Sequence, residues 1–192
     1  KRSHMDLILR QDLLTLELIR DISSFETMLL LLQERVGSPL SAKSISEDLR
    51  KDSKTIQNWL QIAENLYFVF SLRPYSKNIA RSILKEPKIY FYDLGRIEGD
   101  EGVKLENLVA LSLKKEIEYC QDAKGIDCDL RTLRVKGGKE VDFVVIQKGK
   151  PAILIEVKLS DENPSSNFHL FERYFPGCKK IQLVKNLSRE FT

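Results

Sequence analysis

Long apolar runs are missing from this chain. Its stretch Met28–Leu32 is five residues, where a membrane-spanning helix needs about 20. No secretory pattern is read at the start either, so the expectation is a cytoplasmic protein that makes no use of a membrane. Cysteine is scarce and odd in number: Cys120, Cys128 and Cys178 lack zinc-site spacing, which leaves reduced thiols as the reading. Histidine is limited to His4 and His169. His4 falls in residues 1–5, which read as a vector remnant. His169 reads as a packing or surface residue. No G-x-x-x-x-G-K-[ST] loop is present, so the chain as it stands should not hold ATP in the P-loop manner. No large excess of one charge exists. The net charge of +3 means that any nucleic-acid affinity must come from local patches. Repeats and low-complexity tracts are absent as well.

What is present is an unusual pair of segments. Residues 140–147 (EVDFVVIQ) and 152–158 (AILIEVK) are rich in Val, Ile and Phe and read as strands. Lys148-Gly149-Lys150-Pro151 between them is a turn signal. A turn centred on Gly149 places Asp142 opposite Glu156 and Glu140 opposite Lys158, with Cβ atoms about 5 Å apart. Glu156 and Lys158 are two apart and share that face. The other face is expected to carry Val141, Phe143, Val145, Ile153, Ile155 and Val157 under a helix. A slip of one residue would part the acids.

Charges inside strands are expensive to bury unless they bind something. Two carboxylates this close repel unless a proton or a cation lies between them. Oxygen-only donors suit Mg²⁺ or Mn²⁺. Such an ion polarises a phosphate and lowers the pKa of an attacking water. Lys158 is placed to orient that water or to offset phosphoryl charge. The plain alternative is a solvated surface hairpin with Glu140 and Lys158 as a cross-strand ion pair.

A helix is expected over residues 105–118, with Leu105, Leu108, Val109, Leu111, Ser112 and Leu113 as its apolar band. Glu106 and Asn107 open it. Glu106 is either a dipole-stabilising acid or a further residue reaching the metal site. The expected order is then helix, strands near 130–135, 140–147 and 152–158, a helix near 165–174 and a strand at 181–185. Motif and order together resemble the PD-(D/E)XK, or restriction-endonuclease-like, nuclease superfamily. The resemblance assigns Asp142 as the first acid, Glu156 as the second, Lys158 as the lysine and Glu106 as the acid from the first helix.

The N-terminal half reads differently. Residues 41–49 form a short helix. A turn follows at Arg50–Asp52, and Ser53 is the expected N-cap of a second helix through Asn65. Ile56, Trp59, Leu60 and Ala63 face inward; Lys54, Thr55, Gln57, Asn58 and Gln61 face outward. Two such helices read as a helix-turn-helix. Residues 67–72 and 88–92 are the expected wing strands, and residues 6–20 and 24–36 two earlier helices. Between the wing strands, Arg73, Lys77, Arg81, Lys85 and Lys88 face a single acid, Glu86. With Tyr75 among them they fit phosphate-backbone contact. Gln57, Asn58 and Gln61 are the base-reading candidates. A winged helix serving only as a protein adaptor fits equally well.

The motifs Arg10-Gln11-Asp12-Leu13, Phe25–Leu32, Ser53-Lys54-Thr55-Ile56, Pro74–Asn78, Pro87–Gly95, Leu105-Glu106-Asn107 and the two acidic strands resemble one family over nearly the whole chain. It is the C-terminal region of prokaryotic AAA+-type ATPases, a domain of unknown function numbered 4143. Two departures are small: Leu133 stands where the family often has an aromatic, and the link from Gly95 to Leu105 is short. The resemblance implies an upstream P-loop ATPase domain as a partner, with ATP bound only there.

The expectation is a mixed α/β chain. A mostly helical winged-helix-like domain over 6–94 precedes a restriction-endonuclease-like α-β-β-β-α-β domain over 103–192, with Gly95–Lys104 between them. Its expected function is Mg²⁺- or Mn²⁺-dependent DNA processing attached to an ATPase. Two other readings stay open: a module that binds DNA or protein without cutting, and a recognition or homo-oligomerisation module of the ATPase.

Overall fold

The computed structural model describes residue 19 and residues 21–76, 86–134, 139–161 and 163–187. The expected helix at 6–20 and the basic residues Lys77, Arg81 and Lys85 lie outside the described residues.

Three helices come first: α1 (Ile22–Gln33), α2 (Ala42–Leu49) and α3 (Ser53–Asn65). Each begins where a polar side chain can take up free backbone donors. Asp21 accepts from the Ser24 amide at the start of α1, and Asp52 accepts from Lys54 and Thr55 at the start of α3. The cap of α3 is therefore Asp52, and Ser53 is its first helical residue: a carboxylate serves the helix N-terminus as well as a hydroxyl does. Ile56, Trp59 and Ala63 are buried and Leu60 is half-buried, so the inward stripe is as expected, with Ile62 added to it.

Two short strands follow, β1 (Val69–Leu72) and β2 (Lys88–Phe91), paired antiparallel. They are not a free-standing wing. On one side Pro39 bridges to Lys88, and the Gly37 and Leu40 amides donate to the Ile89 and Pro87 carbonyls. On the other, Pro74 bridges to Thr132, with the Thr132 amide on the Arg73 carbonyl and the Tyr75 amide on the Thr132 carbonyl. The two strands are thus stitched into the rest of the molecule along both edges.

A 3₁₀ turn at Leu94–Arg96 leads to the long helix α4 (Glu101–Lys124). It is longer than the sequence suggests at both ends. Asp100 caps it through the Val103 amide, and Gly125 closes it in the left-handed conformation that glycine adopts freely. Its apolar band is also rotated from the expected one. Asn107 and Ala110 are fully buried, whereas Leu108 and Ser112 are exposed.

The second half is a four-stranded sheet in the order β3 (Cys128–Arg134), β4 (Glu140–Gln147), β5 (Lys150–Lys158) and β6 (Lys179–Val184). The first three strands are antiparallel. α5 (Ser166–Glu172) then crosses over, and β6 runs parallel to β5. The mixed α/β class and the α-β-β-β-α-β order match the expectation.

The β4–β5 turn is Lys148-Gly149, both at positive φ (49° and 74°), the backbone that joins two strands tightly with the right twist. Pairs from Phe143↔Ile155 to Val145↔Ile153 follow the expected register, and a one-residue shift sits next to the turn. A second irregularity lies against β3. From Arg131↔Val144 to Leu133↔Val141 the partner β3 advances by two residues and β4 by three, so β4 bulges at Asp142–Phe143. That bulge sends Val141 to the side of Val144 and Leu154, not to the side of Phe143 as simple alternation requires.

Both faces of the sheet are buried. Phe143, Val145 and Ile155 join Ala110 of α4 in a core that continues without interruption into Phe25, Leu32, Val69 and Phe91 of the N-terminal half. Val141, Val144, Ile146 and Leu154 form a second core with Phe168 and Phe171. Tyr75 belongs there too, edge-on to Phe175 at 5.7 Å. It is a packing residue, not an exposed stacking platform.

Candidate functional site

Asp142, Glu156 and Lys158 come together at one end of the sheet. The Val157 amide donates to Asp142 Oδ2 at 2.8 Å, so the bulged strand is tied directly to the strand that bears Glu156. Glu156 is 3 % exposed. Its Oε1 takes the Lys158 ammonium at 2.9 Å and the Ser165 hydroxyl at 3.3 Å. Its Oε2 is buried without a hydrogen-bond partner, a costly condition for a carboxylate oxygen. Lys158 pairs with Glu156 on its own strand. The cross-strand pair with Glu140 is not formed, because Glu140 turns toward another lysine.

That lysine is Lys88, at the start of β2. It is 5 % exposed, with its Nζ 3.4 Å from Glu106 Oε1 and 3.5 Å from Glu140 Oε1. The sequence places it in a basic surface patch; the structure buries it in the acidic cluster. Its position on a strand that packs under α4 is the reason. Tyr90, two residues on and fully buried, donates its hydroxyl to Glu106 Oε1 at 2.8 Å. Glu106 is therefore held by Lys88 and Tyr90 and lies within the second turn of α4, not at its opening. Asn107 beside it is locked to β2, its Oδ1 accepting from the Phe91 amide and its Nδ2 donating to the Phe91 carbonyl, each at 2.8 Å. Alternation and the hydrophobic pattern gave no sign of Lys88, Tyr90 and Asn107 as site neighbours. The one available signal was their concentration of polar atoms in otherwise apolar segments.

The electrostatics follow from this crowding. Burial, reinforced by Glu106 and Glu156 and opposed by the Val157 hydrogen bond and Lys88, pushes the Asp142 carboxyl up to about 7. Burial works to lower the Lys88 ammonium pKa, but Glu106, Glu140 and Asp142 outweigh it and the net shift is upward. Burial and the nearby Glu106 carry the Tyr90 phenol well above its ordinary value. Lys158 is likewise raised: burial opposes, and the hydrogen bond that its ammonium donates to Glu156 prevails.

Asp142 and Glu156 fit a hard divalent cation on two grounds, the unpartnered oxygen of Glu156 and an all-oxygen donor set. Among the described residues no three His, Cys, Asp or Glu side chains converge as a ready-made metal cage. Two carboxylates with water completing the shell is the habit of Mg²⁺.

The nucleic-acid candidates lie elsewhere. Lys54, Gln57, Asn58 and Gln61 are exposed on α3, and Arg73 is half-buried just past β1. Gln57, Gln61 and Arg73 line one cleft of about 590 Å³ between α3 and the strands. Glu64 and Glu86 also line it, so its charge is mixed. His169 is exposed on α5. No helix among the described residues is long and apolar enough to cross a membrane.

Comparison with known proteins divides the chain in two. No curated protein and no solved structure matches it. The family model described as Domain of unknown function (DUF4143) matches residues 101–189, so the likeness read across nearly the whole sequence is confined to the second half. A different model, Domain of unknown function (DUF8612), matches residues 1–97. The chain thus belongs to the DUF8612 family by its N-terminal half and carries a DUF4143 domain over residues 101–189.

Proposed function

We propose that the second half is a Mg²⁺- or Mn²⁺-dependent phosphodiester-cleaving module that acts on DNA. The observation that carries the reading is Glu156: a buried carboxylate with one oxygen on Lys158 and the other without a partner, beside Asp142. Asp142 and Glu156 would hold the cation. When bound, it supplies Lewis-acid activation of a phosphate and of water. Lys158, about one-third exposed, faces solvent enough to meet a phosphate oxygen and offset charge there. Ser165 steadies Glu156 from the start of α5. The acid, acid-x-lysine order on two adjacent strands resembles the PD-(D/E)XK superfamily and supports the same chemistry.

The exposed polar face of α3, with Lys54, Gln57, Asn58 and Gln61, is the surface offered for DNA contact, with Arg73 alongside. The strands β1 and β2 have both edges engaged, so this contact would rest on the helix rather than on an inserted wing. The resemblance to the C-terminal region of AAA+-type ATPases supports an upstream ATP-binding domain as the partner in this reading.

Calorimetric titration with Mn²⁺ and a DNA-cleavage assay, run on the parent, Asp142→Ala and Lys158→Ala, test the reading. The expected result is metal binding that disappears in Asp142→Ala, and cleavage lowered about 100-fold or more in both variants with the fold intact. Parental cleavage rates in both variants would sink the assignment. A second reading, binding without cutting, draws on the internal pairing of Glu156 with Lys158, which neutralises the site without a cation. Salt-sensitive DNA binding with no metal-dependent cleavage on any substrate would favour it.

A further inference from the structure

The acidic cluster contains Glu106, Glu140, Asp142 and Glu156, yet no three of them converge. Lys88 explains the gap. Its ammonium arrives from the N-terminal half, is almost wholly buried, and stands between Glu106 Oε1 (3.4 Å) and Glu140 Oε1 (3.5 Å). The Tyr90 hydroxyl holds the same Glu106 oxygen at 2.8 Å. Glu140 is fixed from its backbone side as well, its carbonyl accepting from Asn167 Nδ2 at 2.7 Å. Glu106 and Glu140 are thus satisfied by a resident cation. Glu156, which Lys88 does not pair, is left with a buried oxygen that has no hydrogen-bond partner.

We infer that Lys88 is a built-in counter-ion which occupies the position of a second cation and restricts the metal to Asp142 and Glu156. The inference rests on the metal reading above and adds to it a role for the N-terminal half: that half is a component of the site, not only an appendage to it. It also makes the site a one-ion centre for a divalent metal. A point charge on a flexible stem is suited to this task, since Lys can enter a buried carboxylate cluster with a single compact ammonium.

The test is Mn²⁺ titration by calorimetry on the full chain, on Lys88→Met, and on Lys88→Met/Glu106→Gln. Circular dichroism would check the fold of each. Removing the ammonium while keeping the stem's bulk releases Glu106 and Glu140. The expected result is either a second bound ion or affinity tighter by at least about tenfold, because a unit charge this close works strongly against a divalent ion. Adding Glu106→Gln should return the parental stoichiometry, an outcome that a merely structural lysine would not produce. A parent that binds one ion and a Lys88→Met variant that binds identically would overturn the inference while leaving the metal site standing. A parent that binds none, with a variant that binds, would overturn the metal reading at Asp142 and Glu156 and the inference that rests on it. No binding in either would overturn both. Should Lys88→Met fail to fold, anomalous scattering from Mn²⁺-soaked crystals of the parent decides. Ligation by Asp142 and Glu156 alone supports the inference, and ligation by Glu106 overturns it.

Discussion

The two halves of the chain use ion pairs in opposite ways. In the helical half, Arg35 meets Asp48 and Lys51 meets Asp21, each at 2.6 Å, with all four side chains about one-third exposed or more. At the sheet, Lys88 and Glu156 are buried almost completely. The distances at the sheet are no shorter, so geometry alone does not separate the two cases. Solvent does. An exposed pair is screened and adds about 0–1 kcal/mol. A buried pair must first overcome several kcal/mol of desolvation, and it stabilises the fold weakly compared with apolar packing. Charges kept in the second setting contribute little to stability alone, which is why the cluster around Asp142 reads as a site and the pairs at the ends of α1 and α2 do not.

The largest expected effect that sharpens this contrast is at Lys88. In metal-free buffer, Lys88→Ala should destabilise the protein by about 3–5 kcal/mol, because it removes a buried ammonium and leaves half-buried Glu106 without its counter-charge. Urea denaturation measures it, and a loss below 1 kcal/mol would erase the distinction between the two settings. Next comes pH. In the folded protein Asp142 titrates at about 7, against 3.8 for an ordinary aspartate. Between those values the folded chain keeps a proton that the unfolded chain has released. Metal-free stability should therefore fall as pH rises from about 4 through about 7, by about 4 kcal/mol. Asp142→Asn should remove that slope and be the more stable protein at pH 8. Denaturation midpoints at pH 5 and pH 8 for both proteins give the answer, and identical slopes would show that Asp142 is solvated.

A smaller effect is expected at the seam between the halves. Asn107→Ala leaves the Phe91 amide and carbonyl without their partners and should cost about 2 kcal/mol. Thermal unfolding checks it, and should show one transition, since the core runs through both halves. The smallest is at the surface. Asp48→Asn removes the partner of Arg35 and should change stability by at most about 1 kcal/mol, less in high salt. A change as large as that at Lys88, seen in the same denaturation series, would break the comparison from the other side.

Much of the fold was legible because it is local. Alternation in EVDFVVIQ and AILIEVK, a glycine-bearing turn and polar caps before apolar periodicity identify strands, hairpin and helices without reference to the rest of the chain. The meeting of Asp142 with Glu156 was legible for the same reason, since a tight turn fixes register over a few residues. Three things were not. The bulge at Asp142–Phe143 arises from pairing with β3, a partner nothing in the hairpin specifies, and it moved Val141 to the other core. The burial of Lys88 depends on α4 lying across β2, so a lysine in a basic stretch read as surface charge. Glu106 was open to two readings, a helix-opening acid or a residue reaching the metal site, because its distance from Lys88 in sequence concealed their contact in space.

By itself, then, the sequence determined the mixed α/β class, the order of elements and the presence of Asp142, Glu156 and Lys158 on neighbouring strands, all of which rest on short-range periodicity and turn chemistry. Tertiary structure alone decided which carboxylates are left free. That outcome depends on a lysine more than 50 residues from Glu140 in the chain and on how much water each charge loses. Desolvation is a property of the folded interior that no local pattern encodes.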